Sequence, residues 1–209
     1  QGFLMNRQRT TNSLNFATNT IVDGIGVGDR AVVPAIDLGT SDFSISFWAY
    51  KYQDWDEQWI ISQYKDDNNR WYIRGNDDNP PRFQLYTRIA GNVVHNYVDN
   101  GTNLDGASYI ENWTHAVCTV DRDGALKWYV NGAASGDAGT TDGSGDEASS
   151  QEGVSLSAAL GDVVVGHFIH SSFDDHHFNG QIDDIAIYND VLSQAEVTRI
   201  YNAGKRSHR

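Results

Sequence analysis

Four doubled carboxylates punctuate the chain: Asp66-Asp67, Asp77-Asp78, Asp174-Asp175 and Asp183-Asp184. Adjacent like charges repel, so each pair must be solvated or bridged by a cation. Three pairs fall in loop-like stretches, where solvation is the expectation. Asp183-Asp184 lies instead in a strand-like run between Ile182 and Ile185. A strand sends neighbouring side chains to opposite faces, so at least one of these carboxylates is expected to turn inward. There it needs a metal or a hydrogen-bond partner. Histidines crowd into residues 166–177, at His167, His170, His176 and His177. A transition metal requires convergent ligands, whereas His176 and His177 would diverge in a strand. The stretch reads better as a polar loop beside a binding face, with Asp174, Asp175 and His177 in contact with ligand.

Aromatic rings offer a second chemistry, because a flat ring stacks on the apolar face of a sugar. Trp55 and Trp59 flank Asp56 and Glu57, and Trp71 and Tyr72 follow Asp66 and Asp67. A tryptophan with a polar rim has the composition of a sugar site. The competing expectation is burial, to which Trp48, Trp113 and Trp128 are assigned. The sequence has no Gly-x-Ser-x-Gly elbow and no phosphate loop. Cys118, the single cysteine, shares a strand face with Ala116 and Val120 and is expected to be a buried thiol.

The elements that must hold these groups are strands. Phe43, Ile45, Phe47 and Ala49 alternate with Ser44, Ser46, Trp48 and Tyr50. Similar runs occupy 13–17, 30–34, 58–64, 70–74, 82–89, 92–98, 113–121, 126–131, 162–167 and 180–188. Asp123-Gly124, Asn131-Gly132 and Asn100-Gly101 supply turns between them. Short strands punctuated by turns predict an all-β, two-sheet antiparallel sandwich. One helix is signed by Ser193 as N-cap and Glu196 three residues on, a capping box. Leu192 and Val197 fit the hydrophobic staple, Gly204 is placed to end the helix, and the helix is expected across the sandwich edge. Residues 135–153 hold no large apolar side chain and read as a solvated loop.

The formal net charge is −13, a surface that repels nucleic acid. Residues 1–12 carry Arg7 and Arg9 without an acid, and 205–209 carry Lys205, Arg206 and Arg209. Between them stand ten basic and 28 acidic residues. The expected organisation is an N-terminal arm (1–12), a sandwich (13–204) and a basic tail (205–209), with the tails available to an assembly partner. No apolar run approaches the ~20 residues of a membrane span, and residues 1–12 have no apolar stretch of a secretory leader.

Three stretches carry a resemblance. They are Asp37-Leu-Gly-Thr-Ser-Asp-Phe-Ser-Ile-Ser-Phe-Trp-Ala-Tyr50; Trp113-Thr-His-Ala-Val-Cys-Thr-Val-Asp121 with Leu126-Lys-Trp-Tyr-Val-Asn-Gly132; and Phe178-Asn-Gly-Gln-Ile-Asp-Asp-Ile-Ala-Ile-Tyr188 running into Leu192-Ser-Gln-Ala-Glu196. In order and spacing they resemble the laminin-G-like, concanavalin A-like family, including its pentraxin-like bacterial and viral relatives. The resemblance implies a jelly roll used for binding carbohydrate, protein or a surface, often with calcium. By the family's habit, an acidic residue of the last strand holds a structural Ca2+. That points to Asp183 or Asp184, with Asp23 as a further ligand. Hydrolases of the family carry a Glu-x-Asp-x-x-Glu or Glu-x-Asp-x-Glu strand, which this sequence lacks; Asp54, Asp56 and Glu57 come closest.

The reading is therefore a non-catalytic, lectin-like module at an extracellular, cell or virion surface. Its contact residues are expected at Trp55, Asp56, Trp59, Asp66, Asp67, Trp71, Asp174, Asp175 and His177. The alternatives are a structural or decoration subunit using the basic tails, and a glycoside hydrolase.

Overall fold

The computed structural model describes residues 14–16, 19–22, 25–28, 30–52, 58–76, 82–98, 110–122, 126–135, 139–140, 153–159, 161–168 and 177–208. Its strands are β1 (Leu14–Phe16), β2 (Asn19–Val22), β3 (Ile25–Gly28), β4 (Ala31–Val33), β5 (Phe43–Lys51), β6 (Gln58–Asp66), β7 (Asn69–Asn76) and β8 (Arg82–Ile89). They continue with β9 (Asn92–Val98), β10 (Thr114–Val120), β11 (Leu126–Val130), β12 (Ala133–Ala134), β13 (Gly139–Thr140), β14 (Val163–Val165) and β15 (Gly180–Tyr188), and one helix, α1 (Gln194–Gly204), follows.

Two antiparallel sheets form the jelly-roll sandwich. One runs β1-β15-β5-β10-β11-β12 and the other β13-β9-β8-β7-β6-β14-β4, while β2 and β3 make a separate hairpin. Alternation decides what lies between them. Phe43, Ile45, Phe47 and Ala49 of β5 face inward with Ala116, Cys118, Trp128 and Val130; from the opposite sheet come Ile61, Trp71, Ile73, Phe83 and Leu85. The Phe47 and Phe83 rings meet edge to face at 5.3 Å and tie the two sheets together. Each such side chain contributes about 1.5–3 kcal/mol by leaving water. Cys118 is a buried free thiol, as its neighbours predict.

The six-stranded sheet has a third layer on its outer face. Leu192 and Val197 of the helix pack on Val117 of β10 and Tyr129 of β11. The helix thus lies over a sheet face and not across the sandwich edge. Its capping box is complete: the Ser193 side chain accepts from the Glu196 N–H, and the Glu196 carboxylate accepts from the Ser193 N–H. Gly204 does not end the helix in a left-handed turn, because the helix runs through it and Lys205 caps it in αR geometry. Glycine is needed there for closeness. A Cβ at this position would stand 2.6 Å from Trp48 Nε1.

The segment read as a basic tail also belongs to this layer. Lys205, Arg206 and Ser207 are exposed, but His208 is buried against the domain's own Trp48. The reason is chemical: the imidazole finds a ring to stack on and an acceptor for each nitrogen. Residues 1–12 lie outside the described residues, as does most of the 135–153 loop.

Candidate functional site

With the helix and residues 205–208 on the six-stranded sheet, the outer face of the seven-stranded sheet is the second broad surface of the sandwich. Its composition follows from strand register. On β7, Trp71 and Ile73 point into the core, so Arg70, Tyr72 and Arg74 point out. On β8, Phe83 and Leu85 point in, so Gln84, Tyr86 and Arg88 point out. Tyr72 pairs with Tyr86, Arg74 with Gln84, and Arg70 with Arg88 across the two strands. On β6, Trp59, Ser62 and Tyr64 pair with Arg74, Tyr72 and Arg70 and join the same face.

These residues form an aromatic and cationic array. The Tyr72 and Tyr86 rings are stacked at 4.9 Å, tilted by 12°. The Arg74 guanidinium lies over Trp59 at 5.4 Å and Tyr72 at 5.7 Å, and its Nε donates to Gln84 Oε1. The Arg70 guanidinium lies over Tyr86 at 5.7 Å. Phe168 covers the β6 side, stacked on Trp59 at 4.5 Å. Tyr86, Arg70, Arg74 and Arg88 are partly buried, Arg70 with 14% of its side chain exposed, and Tyr72 and Gln84 are buried. At the turn end, Tyr64 donates its hydroxyl to Asp67 Oδ1 at 3.0 Å. Burial, followed by that hydrogen bond, raises the Tyr64 pKa, so the phenol stays protonated. The arrangement presents the partly exposed Tyr86 ring with guanidinium donors beside it.

The sequence did not single out this face, although both strands spell it in alternation. Register is what brings Arg70-x-Tyr72-x-Arg74 beside Gln84-x-Tyr86-x-Arg88. Of the expected contact residues, Trp71 is fully buried in the main core and its Nε1 donates to Gln63 Oε1 at 2.7 Å. Trp59 is buried too, beneath Phe168 and beside Tyr72. Neither ring is a free stacking platform: Trp71 occupies an inward strand position, and Trp59 is roofed over. Asp66 and Asp67 build the β6–β7 turn. Asp66 Oδ1 accepts from the Asn68 N–H and Asn69 Nδ2, each at 2.9 Å, and Asp67 Oδ1 accepts from Tyr64 and Arg70.

That turn marks one end of the seven-stranded sheet. Gln58 pairs with Gly75, Asn76 with Arg82 and Gly180 with Lys51. The strand ends from which 53–57, 77–81 and 169–176 leave therefore share one rim, while the Asp66-Asp67 turn is on the other. His177 lies near the first rim, half-buried, with its ring stacked on His167 at 4.8 Å. Trp55, Asp56, Asp174, Asp175 and Asp23 lie outside the described residues, as do Asp54 and Glu57.

Asp183 and Asp184 are arranged differently from expectation. The β15–β5 register shifts between Asp183 and Ala186, and Asp184 takes a left-handed backbone with φ 48°. This bulge keeps both carboxylates out of the inter-sheet core. Asp184 is exposed. Asp183 lies under the C-terminal segment, where Oδ2 is 3.1 Å from His208 Nε2 and Oδ1 accepts the Asp184 N–H at 2.8 Å. Each oxygen thus has a hydrogen-bond partner, one of them an imidazole. Among the described residues no group of three or more His, Cys, Asp or Glu is placed to hold a metal ion. Of the calcium ligands implied for this chain, Asp183 and Asp184 are described and Asp23 lies outside the described residues.

Comparison with known proteins agrees with the fold. No curated protein matches the sequence. Among solved structures, a heptameric SAP-like pentraxin from Limulus polyphemus shares 14% identity with a TM-score of 0.55, over 82% of this chain and 74% of that one. The receptor binding domain of botulinum neurotoxin C/D mosaic serotype shares 17% with a TM-score of 0.58, over 92% of this chain but only 47% of that one, so the chain spans about half of it. The CBM40 domain of the Ruminococcus gnavus IT-sialidase, bound to alpha2,6 sialyllactose, shares 14% with a TM-score of 0.54, over 82% of this chain and 98% of that one. The family profile described as the concanavalin A-like lectin/glucanases superfamily matches residues 25–198. The sandwich, its register and that match together place the chain in the concanavalin A-like lectin/glucanases superfamily, as a laminin-G-like domain.

Proposed function

We propose that the chain is a non-catalytic, lectin-like module that takes up glycan on the outer face of the seven-stranded sheet, at an extracellular, cell or virion surface. The observation that carries this reading is the Tyr72–Tyr86 stack flanked by Arg74 and Gln84 on adjacent strands. A sugar presents an apolar ring face edged by hydroxyls, and this array offers the partly exposed Tyr86 ring, braced by Tyr72 and edged by guanidinium donors. Similar domains with glycan or receptor binding in their own description support the reading by analogy of fold.

The test is a glycan array probed with the wild-type chain and with Tyr86→Ala. Tyr86 is partly exposed, so truncating it is expected to remove binding while leaving the melting temperature within a few degrees. An array blank for the wild-type chain would falsify the reading. So would glycan binding that Tyr86→Ala leaves intact.

A further inference from the structure

We infer that the glycan recognised on this face carries a negative charge, a carboxylate or a sulfate ester, held between Arg70 and Arg88. The inference rests on the lectin reading of the same face. Arg70 and Arg88 stand directly opposite each other in the β7–β8 register. Like charges at such a position destabilise a sheet, and the fold answers this pair with one carboxylate. Arg70 Nη1 is 3.3 Å from Asp67 Oδ1, while its Nε is buried without a hydrogen-bond partner. Arg88 Nε donates to the Gly91 carbonyl at 2.9 Å, a neutral acceptor. Arg74, two positions along β7, adds a third guanidinium to the face. In a chain of formal charge −13, these three arginines gather positive charge on the outer side of two adjacent strands, β7 and β8.

The geometry suits an oxyanion. Guanidinium presents a planar fork that carboxylate and sulfate oxygens can meet with two parallel hydrogen bonds. The Arg70 guanidinium lies over the Tyr86 ring, which places an anion held by that fork next to Tyr86. Asp67 is the internal occupant that an incoming anion displaces. Its side chain is 65% exposed, so it returns to water at little cost. The ligand's charge then relieves the cross-strand repulsion that Asp67 alone shares with only one of the two arginines.

The experiment compares matched probes: sialyllactose and oligogalacturonate for carboxylate, a heparin hexasaccharide for sulfate, and lactose and maltohexaose as uncharged controls. The wild-type chain is expected to bind at least one acidic probe and neither uncharged one. Binding to the carboxylate set or the sulfate set identifies the anion, and either outcome supports the inference. The double variant Arg70→Gln/Arg88→Gln is expected to lose at least about tenfold in affinity, the scale of a charge-assisted hydrogen bond. Asp67→Asn, which removes the competing charge but keeps an amide oxygen for Arg70 and Tyr64, is expected to bind the acidic probe about two- to fivefold tighter, matching the loss of a competing exposed ion pair. Should the arginine variant melt early, Asp67→Asn carries the test alone, and unchanged or weaker binding overturns the inference. Uncharged probes bound as well as acidic ones, with no response to the arginine variant, overturn it too while leaving the lectin reading in place. Failure of every probe removes the lectin reading itself.

Discussion

His208 Nε2 lies 3.1 Å from Asp183 Oδ2, and its other ring nitrogen lies 2.9 Å from the Gly204 carbonyl. Both ring nitrogens thus face acceptors, an arrangement fully satisfied when the imidazole carries two protons. The ring stacks on Trp48 at 4.2 Å, tilted 6°, and meets Trp113 edge-on at 4.7 Å. Burial opposes the charge on His208. The hydrogen bonds to Asp183 and Gly204, and the charges of Asp183 and Asp184, outweigh it and raise the pKa above the ordinary 6.5. For Asp183, burial pushes upward but the His208 and Asp184 hydrogen bonds prevail, holding it below the ordinary 3.8. The neighbouring His115 is pushed down to about 4 by burial and then by His208, and stays neutral with Nε2 3.0 Å from Ser46 Oγ.

Stability should therefore depend on pH with a definite sign. A histidine whose pKa rises on folding contributes fully below 6.5 and loses that contribution as pH climbs through its folded value. A carboxylate lowered from 3.8 contributes above that value and loses it as pH falls through its folded value. Both contributions are complete between 3.8 and 6.5. In denaturant melts the His208 contribution is expected to fall as pH rises from 6 to 9, while His115, lowered to about 4, contributes with the opposite sign as pH rises through 6.5. His208→Gln is expected to remove that fall and to be less stable at pH 6 by about 1.5–3 kcal/mol, the scale of a hydrogen bond to a charged group. Parallel pH curves for the two proteins would count against the pairing.

Calcium should have little to act on at Asp183. An imidazolium already neutralises the carboxylate from 3.1 Å, and a cation would have to displace it. Thermal melts with EDTA and with millimolar Ca2+ at pH 6 are expected to coincide. A rise in melting temperature on adding Ca2+, abolished by Asp183→Asn, would show that the cation wins.

Gly204→Ala isolates the cost of close approach. Alanine gains about 1 kcal/mol over glycine in a helix interior. Here its Cβ would meet the Trp48 ring at 2.6–3.0 Å, and overpacking of this kind costs about 1–3 kcal/mol. The expected result is net destabilisation, with quenching of tryptophan fluorescence altered as the ring shifts. A stabilised Gly204→Ala protein would mean that the helix end has room to move.

Trp71 and Tyr86 should separate stability from recognition. Trp71 is fully enclosed with its indole N–H bonded to Gln63, so Trp71→Ala is expected to cost about 3–5 kcal/mol. Trp71→Phe keeps most of the volume but leaves Gln63 without this donor, and is expected to destabilise less while sparing glycan affinity. Tyr86→Ala should do the reverse. Equal loss of affinity from Trp71→Phe and Tyr86→Ala, with the fold intact, would contradict this division.

Much of this architecture is written locally. Alternation in 43–50 fixes which side chains of β5 meet the core, whatever the neighbouring strands are, because strand geometry has a period of two. Ser193 and Glu196 lie within one helical turn, so their mutual capping needs no distant partner. The Asn131-Gly132 turn follows from residues that tolerate positive φ, at 50° and 82°. The same locality explains the reading of Cys118 as a buried thiol.

Other features depend on partners far apart in the chain. Trp71 looked like a rim residue beside Asp66 and Asp67, but the β6–β7 pairing turns it inward. Asp183 finds its partner, a histidine 25 positions later, through a β-bulge and the folding back of the C-terminal segment. Arg70 and Arg88 become neighbours only when β7 and β8 pair. What the sequence by itself determined is the set of local conformations and the two-faced character of each strand. Register, the helix's seat on an outer face and the folding back of His208 were decided by tertiary structure, because cross-strand and layer contacts join residues that no local pattern relates.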